Sequence, residues 1–368
     1  MITINKPFIE VSEKEAFLKS VIIDDYQKKE YSIWYSVNLE YKEYLTHEVA
    51  DCFVLTVLQL AMKSHQGIKI NANISSLFYE NLTNSVMPML SRVIPDSIIV
   101  PIEAENYVDV RFDSKEVGCG CSLGVDSFAS FLSHGSNVPK DLQVSCLALF
   151  NTGQFGDKDL EAAERDFFEN VEKLKPFAEE IGIPLVGINT NLNVVYKDYN
   201  FPLLQRFAQT TISAVLSVQK LFRIYIYASS YPATKFKFSP DDISYCESAL
   251  LPLLSTQNTQ IILSNPMWTR VEKTNYIANN TLVKKWLNVC WANQLSNMID
   301  NSSLKDGKIK PNCGKCGKCL RTLFTLELLG VNLKEYETLF DLDEYNKNKN
   351  RFIIKCLATK KRTRFHMR

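Results

Sequence analysis

Glu116 to His134, EVGCGCSLGVDSFASFLSH, constrains the fold of this chain more than any other stretch. Val117 and the small run Gly118-Cys119-Gly120-Cys121 read as a buried strand. Ser122-Leu123-Gly124-Val125-Asp126-Ser127 reads as a tight loop, and Phe128, Phe131 and Leu132 recur at helical spacing, so a helix is expected to begin near Asp126. A glycine loop between strand and helix presents successive backbone N–H groups at the positive end of a helix, which suits an anion such as a nucleotide phosphate. Ser122 and Ser127 add hydroxyl donors, and Asp126 is a ligand type for magnesium. No Gly-Lys-Ser/Thr follows, so the loop is not a Walker A sequence.

From Asp113 onward strand-like and helix-like segments alternate. Gln143–Phe150 is an almost unbroken apolar run, as expected of a strand buried on both faces, and it ends in the polar turn Asn151 to Gly156. Leu160, Ala163, Phe167, Val171, Leu174, Ala178 and Ile181 mark an amphipathic helix containing Pro176 and stopped by Gly182. Further strands are expected at Leu185–Ile188, Arg223–Ala228 and Asn258–Leu263, with a long helix over Leu203–Leu221. The pattern predicts an α/β fold with a doubly wound parallel sheet whose ligands bind at the carboxyl ends of the strands.

Before that, residues 1–112 read as a separate α+β layer that contacts substrate, forms an oligomer contact or only props the second domain. Tyr31–Val37 and Gly67–Ala72 read as strands, His47–His65 and Leu77–Val93 as helices, and Ser97–Val100 as a strand stopped by Pro101. His47 and His65 read as solvated or capping residues. The core domain is expected over 113–345, followed by a basic tail over 346–368 that carries Lys347, Lys349, Arg351, Lys355, Lys360, Lys361, Arg362, Arg364 and Arg368. Without regular aromatic interleaving the tail reads as a solvated segment, and a nucleic-acid partner is left without support.

Hydrophobic residues make up 46% of the chain and the formal net charge is +1, so neither a membrane nor nucleic acid is implied by a global field. The longest apolar run, Cys52–Met62, is too short to cross a bilayer and contains Thr56 and Gln59. Met1–Glu15 has no signal-peptide pattern, so a cytoplasmic location is expected. There the ten cysteines are thiols or metal ligands rather than disulfides.

The second strong signal is Pro311–Arg321, PNCGKCGKCLR. Two-residue gaps let Cys313, Cys316 and Cys319 surround one metal, Gly314 and Gly317 permit the tight turns, and Lys315 and Lys318 favour the thiolates. Cys290 is the natural fourth ligand. Four thiolates suit zinc or, as the less favoured occupant, an iron–sulfur cluster. Cys52, Cys146, Cys246 and Cys356 read as small core residues, and Cys119 and Cys121 as close packing beneath the loop.

The Ser122–Ser127 loop resembles the S-G-G-x-D-S loop of the PP-loop ATP pyrophosphatases. Leu123 stands where that pattern has its first glycine; a positive φ there would strain a leucine by about 1–3 kcal/mol. A cysteine followed by C-x2-C-x2-C and an arginine resembles the four-cysteine zinc site of the 7-cyano-7-deazaguanine synthase branch. The likeness runs from about Val117 to Gly330 and takes in LFNTGQFG, ASSYP and Thr269–Thr274. Twenty-two residues separate Cys290 from Cys313, a longer insert than that branch suggests.

The resemblance implies an ATP-dependent, AMP-forming ligase. ATP would be held by Ser122, Leu123, Gly124, Val125, Asp126, Ser127 and Phe150, with Mg2+ on the phosphates and Zn2+ on Cys290, Cys313, Cys316 and Cys319. Asp126, Ser127, Lys273 and Arg321 would carry the chemistry, with Arg270 as a further charge partner. A carbonyl or carboxylate oxygen would be adenylated with release of pyrophosphate, and the adenylate displaced by nitrogen. Sulfur transfer to a base or small metabolite is the alternative, and a non-catalytic nucleotide-binding protein a third. Glu247 and the Asp241-Asp242 pair are further candidates for contact with substrate or metal. The expected partners are a small-molecule substrate and ATP, with a homodimer as an admissible assembly.

Overall fold

The computed structural model describes residues 1–156, 159–290 and 310–365, with side chains to residue 358. It divides into two compact units, Met1–Cys121 with Ser133–Met267, and Ser122–Leu132 with Trp268–Arg368. Most of the insert between Cys290 and Cys313, and the end of the basic tail, lie outside the described residues.

In chain order the strands are β1 (Ile2–Ile4), β2 (Phe8–Val11), β3 (Glu15–Asp24), β4 (Lys29–Asn38), β5 (Ile68–Ser75), β6 (Ile102–Val108), β7 (Glu116–Gly120), β8 (Cys146–Phe150), β9 (Leu185–Thr190), β10 (Phe222–Ala228) and β11 (Gln260–Ser264). All belong to the first unit and join in one sheet of order β11-β10-β7-β8-β9-β4-β3-β1-β5-β6, with β2 paired to β3. The helices used below are α1 (Asp51–Ser64), α2 (Val125–Ser133), α3 (Leu160–Ile181), α4 (Phe207–Leu216), α5 (Arg270–Ile277), α6 (Gly317–Leu328) and α7 (Leu342–Phe365).

The five strands β11, β10, β7, β8 and β9 are parallel to their neighbours, as the alternation of apolar runs and amphipathic helices predicts. The sheet as a whole is mixed rather than parallel. β4 pairs antiparallel to β9 through Tyr35↔Thr190 and Ser36↔Asn189, and β3 and β4 form a long antiparallel hairpin from Glu15↔Asn38 to Asp24↔Lys29. The region expected to form a separate layer therefore contributes its strands to the same sheet. The reason is visible in α1: its residues Asp51 to Met62 are all buried, so it needs partners on every side. One is α4, to which it is tied by Gln209 Nε2 donating to Leu55 O at 2.9 Å, while Gln59 Nε2 donates to Gln205 O at 2.8 Å.

Other boundaries differ locally. The segment at 97–100 is not a strand; β6 starts after Pro101, whose carbonyl accepts from Ile68 N at 2.9 Å. The helix expected over 203–221 is the shorter α4, with a 3-10 turn at Leu203–Gln205 before it and Ser217 ending it. Gly182 ends α3 at φ +66°, where glycine has no steric penalty. No helix among the described residues is long and apolar enough to cross a membrane.

The second unit collects the loop after β7, α2, α5, α6 and α7. Its α6 packs against both α5 and α7. Buried Asn312 clamps the segment around Cys290. Its Oδ1 accepts from Val289 N at 2.7 Å and Cys290 N at 3.0 Å, and its Nδ2 donates to Leu287 O at 2.8 Å and Leu339 O at 3.2 Å. Every hydrogen-bonding valence of that amide is thus used at the base of the cysteine cluster.

Candidate metal and anion site

Chain geometry first explains the loop. Gly118 in β7 has no Cβ because one there would sit 2.5 Å from the Phe222 ring. Beyond Cys121 the chain turns through Ser122 and Leu123 into α2. Leu123 holds φ +54°, the left-handed region, so the turn keeps the backbone that favours glycine although leucine occupies it. Its side chain is buried, and its carbonyl accepts from Asn288 N at 2.9 Å. Ser122 N donates to Ser127 Oγ at 3.2 Å, Gly124 N to Ser122 Oγ at 3.4 Å and Phe128 N to Gly124 O at 2.9 Å. Val125 is buried at the first turn of α2.

Asp126, half-buried in that first turn, meets a cation at each carboxylate oxygen. Oδ2 pairs with Arg270 Nη1, and Oδ1 lies 3.3 Å from Lys273 Nζ. Both cations lie on one face of α5, three residues apart. Thr269 caps that helix in a reciprocal box: Glu272 N donates to Thr269 Oγ1 at 3.3 Å, and Thr269 N donates to Glu272 Oε2 at 2.6 Å. The cap fixes where α5 begins and so where Arg270 and Lys273 point. Lys273 is only 2% exposed, which excludes a solvated helix face for that residue. Burial draws the Arg270 guanidinium below its usual value, Asp126 opposes that shift and Arg321 adds to it. Lys318 reaches solvent, yet partial desolvation and the charges of Arg270 and Arg321 lower it too. Arg270 and Lys273 thus pair with Asp126, and the charges of Lys318 and Arg321 are felt at Arg270 or beside it. The sequence marks Arg270, Lys273 and Arg321 as charge partners and Lys318 only as a neighbour of the thiols; the three-residue step from Lys318 to Arg321 is the signal that sets both on one helix face.

All four thiol sulfurs of Cys290, Cys313, Cys316 and Cys319 lie within 4.8 Å of one another. Cys290 and Cys316 are 3.9 Å apart, and Cys313 and Cys319 are 4.0 Å apart. Zinc–sulfur bonds of about 2.3 Å set tetrahedral edges of about 3.8 Å, so these residues could hold a metal ion such as zinc. Cys316 caps α6 and its sulfur accepts from Cys319 N at 3.5 Å; the Cys313 sulfur likewise accepts from Cys316 N at 3.4 Å. Gly314 makes the turn at φ +69°, where a Cβ would stand 2.0 Å from Asp341 O. Hydrogen bonding from the Cys290 thiol brings Cys313 down to about 6, and hydrogen bonds from Cys290, Cys313 and Cys319 pull Cys316 well below the usual thiol value. The leading cause is therefore the neighbouring thiols rather than Lys315 and Lys318. Cys290 and Cys319 shift the other way, upward, because they donate.

Other candidates have structural partners. Phe150 ends β8 within the first unit, buried and edge-on to Tyr225 at 5.7 Å. Also in that unit, buried Glu247 accepts from Ser230 N and from Ser230 Oγ, and Asp242 caps the turn at Ile243–Tyr245. Burial pushes Cys146 and Cys246 up to about 12 and raises Cys119, as expected of inert core thiols, whereas Cys356, expected in the core, is exposed on α7. His65 caps α1 in the left-handed region, while exposed His47 lies 3.6 Å from Glu48. The chain matches no protein-family model, no curated protein and no solved structure.

Proposed function

We propose that this chain binds the polyphosphate of ATP at the Asp126 cluster and activates a carbonyl or carboxylate oxygen by adenylation, as a PP-loop ATP pyrophosphatase of the 7-cyano-7-deazaguanine synthase kind. One observation carries the reading: Asp126 pairs with both Arg270 and Lys273, and the charges of Lys318 and Arg321 act on that same cluster. Like charges gathered at partial burial repel, and an excess of cations is relieved by a multivalent anion. Lys318 and Arg321 also sit in the first turns of α6 with no acidic residue in its first turn, against the helix dipole and again in favour of an anion.

In the proposed reaction an oxygen of the acceptor attacks the α-phosphorus, the bond to the bridging oxygen of the β-phosphate breaks, and pyrophosphate leaves. Ammonia then displaces AMP from the acyl adenylate, forming an amide and releasing a proton. The residues' part is to spread developing phosphate charge over guanidinium, ammonium and loop amides, and to hold the phosphate in line with the attacking oxygen. Asp126 keeps Arg270 and Lys273 apart and oriented until phosphate arrives. When bound, magnesium would neutralise phosphate charge, with Asp126 its natural protein ligand. The thiol separations favour a single zinc ion over an iron–sulfur cluster, because a multi-iron core would hold its terminal thiolates farther apart. That choice favours nitrogen over sulfur as the incoming atom.

Calorimetric titration with ATP and magnesium, followed by a pyrophosphate-release assay with ammonia and candidate carboxylates, tests the proposal. Saturable binding is expected, weakened about 10- to 100-fold in Arg270→Ala, the range for losing one charge-assisted hydrogen bond. Absence of ATP binding by the folded, metal-loaded protein overturns it.

A further inference from the structure

We propose that the four-thiolate metal site and the anion site are coupled through the first turn of α6, with Lys318 and Arg321 as anion-binding residues positioned by the metal. This inference rests on the reading of the Asp126 cluster as an anion site, and it adds a control of that site's affinity.

Cys316 and Cys319 stand three residues apart, and so do Lys318 and Arg321. Each pair therefore shares a face of the helix start. The two pairs are offset by two residues, which turns one about 200° from the other around the helix axis. The first turn of α6 is thus held by sulfur on one side and presents cations on the other. Burial differs in the same sense, with Cys319 fully buried, Cys316 half-buried, and Lys318 and Arg321 exposed.

What holds the turn is the cluster itself. Cys316 caps α6 through its sulfur, Cys313 approaches from the Gly314 turn, and Cys290 comes from a segment clamped by Asn312. A tetrahedral ion bound to all four sulfurs would fix the rotation of α6 about its axis. Without an ion, α6 stays packed against α5 and α7, but its first turn is tied to Cys290 and Cys313 only by weak hydrogen bonds between sulfurs, so the turn that carries Lys318 and Arg321 must be ordered further when the anion binds. Ordering of that kind costs affinity, which pre-organisation restores. A direct electrostatic effect opposes it: a metal with four thiolates carries net negative charge and repels an anion. Lys318 and Arg321 are exposed although Lys318 is partly desolvated, so solvent screens part of that repulsion, and pre-organisation is expected to dominate. α6 also packs against α5, which carries Arg270 and Lys273, so a shift of α6 alters both halves of the cation cluster.

Coupling of this kind is reciprocal: whatever factor the metal gives to anion affinity, the anion must return to metal affinity. The test uses zinc-loaded full-length protein and sulfate, an anion with little affinity for free zinc. Sulfate binding is measured calorimetrically, and zinc retention is measured by equilibrium competition with a chromogenic chelator at saturating sulfate and at matched ionic strength without it. Sulfate is expected to bind the loaded protein, and to raise apparent zinc affinity by about tenfold. Lys318→Ala should keep its zinc yet lose that increase together with most sulfate affinity. Cys313→Ser lies outside α6; it should lower both affinities, while circular dichroism shows the helices retained. Sulfate binding with unchanged zinc retention overturns the coupling and leaves the anion site standing. Failure of sulfate, pyrophosphate and ATP alike to bind the loaded protein overturns the anion site itself, and the coupling with it.

Discussion

Leu123 holds a backbone geometry that favours glycine although it carries a large side chain. Its φ of +54° is the geometry a glycine would adopt freely, and the cost is offset by the buried leucine side chain. Leu123→Gly should relieve about 1 kcal/mol of backbone strain and lose about 3 kcal/mol of buried contact, a net loss of about 2 kcal/mol. Urea denaturation measures it, and an unchanged or higher midpoint would show strain to be the larger effect. Cys313 carries a prediction in pH. The hydrogen bond from Cys290 lowers its thiol to about 6, so zinc has less proton to displace from it than from Cys290 and Cys319, which are raised. As pH falls through 6 the proton returns, and zinc affinity should drop with it; a chelator titration between pH 7.5 and 5.5 follows the loss. In the metal-free protein the same ionisation adds stability above the unfolded thiol value and loses it as pH falls through 6.

The elements divide according to what local sequence could convey. Strands β8 and β10 are apolar runs buried on both faces, and α3 is amphipathic with Gly182 at its end; each was legible because burial and turn chemistry leave periodic marks. Strand β3 alternates buried and half-buried residues, but its sequence does not, since Ser20 and Asp24 lie on the buried face and Phe17, Val21 and Ile23 on the other, so no period of two marks it. The clamp formed by Asn312 was not legible, since an asparagine beside a cysteine motif reads as a turn residue. Asn312→Ala would leave two N–H groups and two carbonyls short of a buried partner, and should cost about 3 kcal/mol or more. A lower denaturation midpoint together with faster zinc loss is expected; a change in neither would show that water replaces the amide.

The whole molecule differs most from its sequence in how residues 1–112 are used. They extend the sheet through β4 and bury α1 against α4, so they are part of the first unit's core. A protein beginning at residue 113 would expose the edge of β9 and the α4 face that α1 covers. It should be insoluble or bind hydrophobic dyes strongly, and a soluble fragment with a cooperative melt would contradict the shared core. Linear order alone determined the α/β alternation, the strand-loop-helix corner at 116–134 and the four cysteines, because each is written in short-range spacing of apolar, small or sulfur-bearing residues. Only tertiary structure decided that the sheet is mixed, that Lys273 is buried, and that Asp126 meets cations more than 140 residues away. Those facts depend on which surfaces pack together, and burial and charge proximity between distant segments leave no periodic trace along a chain.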